Sequence, residues 1–230
     1  MPDAVAIVLA AGRGERFGGS ERKQYVELDG RPVIARTVAN LAGCARVVVV
    51  HPPDERDRTV QMLQAAAGPS PVVLVPGGPT RRLSVAAGLA ALADLPDDVP
   101  VVLQNAASPN TGAALIQECV AALASHQIAQ AFVPAVQTVV RLHDGELTEV
   151  LPRSSLGCTV DPTVLRLGCL RAIVARQAAE GADGEMTIDS ALAMGIAIRL
   201  VASPASNVKL TTPHDLILLH HLTAEPSAGP

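Results

Sequence analysis

Ala4-Val-Ala-Ile-Val-Leu9 runs without a break into Ala10-Ala-Gly-Arg-Gly-Glu-Arg-Phe-Gly18, and Lys23-Gln24 follows shortly after. Six apolar residues without polar alternation describe a strand buried on both faces. Its abrupt end in glycines, with Arg16 and Lys23 close behind, describes a loop that holds a polyphosphate. Glycine lets backbone N–H groups approach phosphate oxygens, and the two cations neutralise charge that backbone dipoles leave uncompensated.

Working outward, similar β-branched runs recur at residues 47–50, 72–75, 101–103, 131–136 and 196–201. Between them lie stretches of helical periodicity at 32–41, 55–66, 81–92, 111–125 and 170–180. Continuous apolar strands alternating with helices predict a doubly wound α/β domain, its sheet mostly parallel and covered on both faces. Pro109-Asn110-Thr111 reads as a capped helix start, and Thr212-Pro213 opens a last helix over 213–222. One segment breaks the alternation. Two β-like runs, 136–142 and 146–151, flank His143-Asp144-Gly145, and Asp-Gly between such runs is a hairpin signal. It reads either as an edge hairpin of the monomer or as a projecting arm, at about 136–155, that a second subunit covers. The expected organisation is one domain over 1–223, with a flexible tail at 224–230.

Composition removes several function classes. The chain has 230 residues, 49% of them hydrophobic, enough for one large core. A net charge of −4 without a basic block argues against a nucleic-acid surface, and three aromatic residues cannot form a base-stacking platform. No apolar run is long enough to span a bilayer and no leader pattern is present, so a cytoplasmic location is expected. Cys44, Cys119, Cys158 and Cys169 have no close spacing, which favours reduced, mostly buried thiols over a zinc site or disulfides.

Nucleotide-binding patterns can be weighed against the opening loop. A P-loop requires GxxxxGK[ST], which is absent. A dinucleotide fold requires GxGxxG and an acid after the second strand. Here the spacing is Gly12-x-Gly14-x-x-x-Gly18, and the second strand ends in His51-Pro-Pro. A nucleotidyltransferase loop uses both the glycines and the cations. The bland alternative is a glycine-rich turn with solvated charges.

Three blocks then carry a resemblance: Leu9 to Gln24, Gly77-Gly-Pro-Thr-Arg-Arg-Leu-Ser-Val85, and Asn207-Val-Lys-Leu-Thr-Thr-Pro-His-Asp-Leu216. In them, and over nearly the whole chain, the sequence resembles the 2-C-methyl-D-erythritol 4-phosphate cytidylyltransferases. The resemblance implies a Rossmann-like nucleotidyltransferase fold that joins CMP from CTP to a sugar-alcohol phosphate in an isoprenoid-precursor pathway and releases pyrophosphate. It implies Arg16, Lys23 and Lys209 as catalytic cations. Ala10, Ala11, Gly12, Arg13, Gly14, Gly78, Arg81, Ser84 and Asn105 would bind nucleotide; read from the residues alone, Arg82 is a solvated helix start. Arg153, Thr138 and Asp161 would bind the acceptor, Arg153 reaching it from the arm of a neighbouring subunit in a homodimer. Mg2+ is the implied cofactor.

The resemblance has gaps. The family block H-D-A-A-R-P reads Gln104-Asn-Ala-Ala-Ser-Pro109, so Asn105 stands where a metal-binding aspartate is expected and Ser108 replaces an arginine. An amide oxygen ligates Mg2+ without offsetting its charge. Gln137-Thr138 replaces D-T, and Val160-Asp-Pro-Thr163 lies opposite Q-T-P-Q, placing Asp161 where a threonine is expected. An acidic stretch is thinned to Thr187-Ile-Asp-Ser-Ala191, and an acid expected before Asn207 is missing. Two readings follow: an active cytidylyltransferase, with this acceptor or another polyol phosphate or phosphonate, or a non-catalytic relative that binds nucleotide or serves as a dimeric structural protein.

Overall fold

A computed structural model describes residues 3–18, 21–64, 71–181 and 187–224. The strand of the opening stretch is β1 (Val5–Leu9). The chain continues through a small hairpin, β2 (Glu27–Leu28) and β3 (Arg31–Pro32), then α1 (Val33–Ala39), β4 (Arg46–His51), α2 (Arg56–Leu63) and β5 (Val72–Pro76). The next elements are α3 (Arg81–Ala90), β6 (Pro100–Asn105), α4 (Ala113–Ala122) and β7 (Ile128–Pro134). Then come β8 (Val139–His143), β9 (Glu146–Leu151), β10 (Gly157–Arg166), α5 (Leu167–Glu180), α6 (Thr187–Ala193), β11 (Ile198–Ala202) and α7 (Pro213–Ala224).

Seven strands form one sheet in the order β11-β7-β10-β6-β1-β4-β5. All neighbours are parallel except β10, which runs antiparallel between β6 and β7. The expected mostly parallel α/β sheet is therefore present, with one strand unforeseen. Alternate residues explain the continuous apolar runs. Ala6, Val8, Val47 and Val49 face Ile34 of α1 and Ile116 of α4. Val5, Ile7, Val48 and Val50 face Val85 of α3 and Leu170 and Ile173 of α5. Both faces are dry, so the buried interior positions of these strands do not tolerate a charge. A third cluster, Leu28, Val33, Ala107, Leu210 and Leu219, fastens α7 to the β2–β3 hairpin.

Two sequence readings need correction. α4 does not begin at Thr111: Gly112, at φ 72, is its cap, with no side-chain hydrogen bond. The Thr111 hydroxyl points inward instead, donating to Ser108 O and accepting from Gln104. The thiols are also less uniform than expected. Burial pushes Cys44 up to about 11 and Cys119 up to about 12, whereas Cys169 is half-buried and Cys158 exposed.

The hairpin forms as read. β8 and β9 pair only with each other, in a separate two-stranded sheet. Asp144 and Gly145 both take positive φ, 48° and 84°, the geometry that two-residue hairpin turns require. Val136, Leu142, Leu147 and Val150 around it are exposed. Of the expected tail, residues 225–230 lie outside the described residues, as do 65–66 at the end of the second predicted helix. Among the described residues no helix is long and apolar enough to cross a membrane.

Candidate functional site

β1 lies between β4 and β6, and the chain winds outward from it in both directions. That switch point opens a crevice at the carboxyl ends of β1 and β6, where ligands of such sheets bind. The glycine loop lines it. Ala10 N donates to Val50 O at 2.9 Å, and beyond that the loop leaves the ladder. Gln24, buried, reaches back: its Nε2 donates to Ala10 O at 2.6 Å and more weakly to Gly12 O at 3.4 Å. Gly14 takes φ 71 and opens a 3₁₀ turn, Glu15–Phe17, that presents Arg16. The Lys23 stem crosses Gly14 so closely that a Cβ there would lie 3.2 Å from Lys23 Cγ. The Lys23 ammonium then donates to Leu210 O at 2.9 Å.

The loop after β5 forms a second wall. A Cβ on Gly77 would come within 2.4 Å of the Ala11 side chain, so only glycine permits this approach. The Ser84 hydroxyl accepts from Gly78 N at 3.2 Å and donates to Gly78 O at 3.3 Å, fixing the turn that Thr80 caps for α3. Arg81 extends from that helix start into the protein. Its Nη1 donates to Asn105 Oδ1 at 3.3 Å, while its Nε is buried without a hydrogen-bond partner.

Asn105, at the end of β6, is the junction of the site. Its Nδ2 donates to the Asp161 carboxylate at 2.7 and 3.0 Å. Ser108 Oγ donates to the same carboxylate. Asp161 arrives from β10, where the register with β7 shifts between Thr159 and Thr163. The resemblance groups Asp161 with the acceptor residues, but within one protomer it does not meet the other two. Thr138 and Arg153 sit at the base of the hairpin, exposed, with Arg153 Nη1 donating to Val136 O at 3.1 Å.

Electrostatics tie the remaining residues together. Burial lowers Lys23 to about 8, and the charges of Lys209 and Arg16 push it the same way. Lys209 is lowered chiefly by burial of its ammonium, and Arg81 and Arg16 add to this. Burial also lowers Arg81. Asp161 opposes the shift in all three. Four cations thus share one crevice with Asp161 and, beside Lys23, Asp215, an excess of positive charge suited to a polyanion. Among the described residues, no three His, Cys, Asp or Glu side chains group as a metal site by themselves.

Sequence alone gives Gln24 no task. Its signal is its place beside Lys23: one neighbour faces the crevice and the other the loop's underside. Asn207 likewise figures in the sequence only as part of a motif. Its Nδ2 donates to Asp161 O at 2.6 Å and holds the bulge from behind.

The family described as 2-C-methyl-D-erythritol 4-phosphate cytidylyltransferase matches residues 4–224. The enzyme of that name from Chromobacterium violaceum is 35% identical over 228 residues, covering 96% of this chain and 97% of that protein. The bifunctional enzyme IspD/IspF of Rhodopseudomonas palustris is 35% identical over 217 residues, covering 93% of this chain and 54% of that protein. The chain therefore spans about half the length of such bifunctional relatives. The crystal structure of 2-C-methyl-D-erythritol 4-phosphate cytidylyltransferase from Thermus thermophilus superposes with a TM-score of 0.76 at 26% identity, covering 96% and 98% of the two chains.

Proposed function

The chain belongs to the 2-C-methyl-D-erythritol 4-phosphate cytidylyltransferase family, and on that premise we propose that it transfers CMP from CTP to a sugar-alcohol phosphate. The acceptor is 2-C-methyl-D-erythritol 4-phosphate or a close analogue, and the setting is cytoplasmic isoprenoid-precursor synthesis. The observation that carries this reading is the convergence of Arg16, Lys23 and Lys209 on a glycine loop at the switch point of the sheet.

The chemistry asks little of a general base. An oxygen of the acceptor phosphate, already an anion, attacks the α-phosphorus of CTP. A new P–O bond forms while the bond to the α,β-bridging oxygen breaks, and pyrophosphate carries the electron pair away. Catalysis is then positioning and charge stabilisation. Backbone from Ala10 to Gly14 holds the nucleotide, with Gly78 and Ser84 against the cytosine and Arg81 behind it. Arg16 and Lys23 stabilise the developing charge on the leaving pyrophosphate. Lys209 meets the α-phosphate from the other side. Lys23 is charged at neutral pH and becomes more firmly so beside a triphosphate.

Arg153 and Thr138 complete the acceptor site from the arm of a second subunit. The exposed apolar residues of that arm support pairing, because burial in a dimer would remove them from water. Residues 1–223 form the single catalytic domain, with the arm at 136–155.

The family uses a divalent metal, and Mg2+ is the ion proposed here. The side chains around Asn105 do not by themselves fit it: the amide oxygen accepts from Arg81, the Ser108 hydroxyl donates to Asp161, and both oxygens of that carboxylate accept from Asn105. When bound, such an ion neutralises charge on the triphosphate.

A coupled assay of pyrophosphate release from CTP with methylerythritol phosphate and Mg2+ tests the proposal. Turnover that requires both substrates is expected. Tight CTP binding without turnover on any polyol phosphate or phosphonate would favour the non-catalytic reading, which the neutral residue at position 105 supports.

A further inference from the structure

We propose that Asp215 is a positioning residue for the transfer, acting through the Leu210–Thr211 peptide to fix the segment that carries Lys209 and to hold the Lys23 ammonium in place. The inference rests on the cytidylyl-transfer reading above and adds a residue to it.

Both catalytic lysines depend on one short stretch of irregular backbone. Residues 203–212, between β11 and α7, belong to no strand or helix. Lys209 stands on this stretch, and Leu210 O accepts from Lys23 Nζ at 2.9 Å. No ladder of hydrogen bonds holds it, so a few contacts set its course. Asn207 N donates to Pro204 O at 3.0 Å, and Leu210 N donates to Ala107 O at 2.8 Å. The Leu210 side chain is buried in the cluster of Leu28, Val33, Ala107 and Leu219.

Asp215 secures the other end. It lies in the first turn of α7, and its Oδ2 accepts from Thr212 N at 2.7 Å and from Thr211 N at 2.8 Å. Asp215 N donates in turn to Thr212 O at 3.1 Å. The bonds with Thr212 form a capping box, which starts the helix. The bond to Thr211 N goes one residue further than a cap requires. That N–H and Leu210 O belong to the same peptide group, and in a trans peptide they point in opposite directions. Carboxylate and ammonium thus hold one peptide plane from its two sides, and each hydrogen bond polarises the other.

Charge adds to the bond. Burial lowers Lys23, as do the charges of Lys209 and Arg16, while Asp161 and Asp215 oppose them. Burial alone would raise the Asp215 carboxyl, but the Thr212 and Thr211 N–H groups, the Thr212 hydroxyl and Lys23 hold it below the usual carboxylate range. The two carboxylates have different surroundings. Asp161 is taken up by Asn105 and Ser108 inside the crevice. Asp215 works from behind the peptide, so its charge supports Lys23 without occupying an ammonium N–H.

Two variants separate the bonds from the charge. Asp215→Ala removes both, whereas Asp215→Asn keeps an oxygen for the two N–H groups and removes the charge. Pyrophosphate release gives kcat and KM, and calorimetry gives metal-free CTP affinity from pH 7 to 9.5, all well below each Tm. Asp215→Ala should lower kcat about 10–100-fold, as misplaced catalytic groups do. Asp215→Asn should recover most of that loss at pH 7. Its CTP affinity should begin to fall at a lower pH than in wild type, because Lys23 has lost a neighbouring anion. Wild-type kcat in Asp215→Ala, even with a lowered Tm, would overturn the inference and leave Asp215 as a helix cap. An Asp215→Asn pH profile that coincides with wild type would also overturn it. A wild type that binds CTP but turns over no acceptor would instead overturn the transfer reading, and this inference with it.

Discussion

The ammonium of Lys23 donates to the carbonyl of Leu210 at 2.9 Å, joining the first loop of the chain to the segment before its last helix. Burial, then Lys209, then Arg16, lowers this lysine from 10.5 to about 8. The unfolded chain therefore binds the extra proton between about pH 8 and pH 10.5, and stability contributed at this site rises with pH across that window. CTP binding runs the other way, because the triphosphate needs the charged form. Replacing Lys23 with Met should raise Tm most at pH 7 and progressively less toward pH 10. Metal-free CTP affinity of the wild type should fall as pH passes 8. Lys23→Arg should keep its affinity to higher pH, since a guanidinium does not deprotonate there. A flat CTP profile from pH 7 to 9.5 would remove Lys23 from the binding step.

Gly77 and Gly12 make a paired test of the loop walls. A methyl group at Gly77 collides with Ala11, whereas at Gly12 it meets nothing within 4 Å and Gly12 is not among the positive-φ glycines. Gly77→Ala should cost about 1–3 kcal/mol, as overpacked sites do. Gly12→Ala should stay within about 0.5 kcal/mol in stability. Denaturant unfolding of the two variants reads the contrast directly.

Gln24→Leu leaves Ala10 O without its 2.6 Å donor in a buried setting. An orphaned buried carbonyl costs roughly 1–3 kcal/mol. The loop should also loosen, so CTP affinity falls along with Tm. Stability loss with unchanged CTP binding would mean that Gln24 supports the fold and not the loop's shape.

The parts of this fold that sequence reveals are those written locally. An apolar run ending in glycines fixes β1 and its loop, and Asp144-Gly145 fixes the hairpin because positive φ at both positions suits those residues. β10 stays hidden because Asp161, Pro162 and Gly157 read as breakers. Only its neighbours on both sides, β6 and β7, make it a central strand. The seven-residue α6 reads in sequence as a thinned acidic stretch, since two turns give little periodicity. The site follows the same division. Glycines and cations are legible, but the link from Arg81 through Asn105 to Asp161 spans 80 positions and exists only after folding.

The hairpin arm has the sharpest prediction. Lys23 belongs to the crevice and Arg153 to the hairpin, and within a protomer no hydrogen bond or ion pair among the described residues links Arg153 to the crevice. If the arm of one subunit serves the crevice of the other, Lys23→Ala and Arg153→Ala each abolish turnover, for different reasons, in both sites of a homodimer. A mixed dimer holds one site with both defects and one with neither. Random exchange of equal amounts makes half the dimers mixed, so about one quarter of the wild-type sites should return. Unfolding and refolding the two inactive proteins together, then measuring pyrophosphate release, gives the number. Recovery near one quarter supports the crossed arm. No recovery, with mixed dimers demonstrated by differential tagging, means that Arg153 acts in its own protomer or not at all. Leu147→Glu, which places a charge on the exposed arm, should then decide whether the arm forms the dimer, because sedimentation would show it as a monomer that retains the fold.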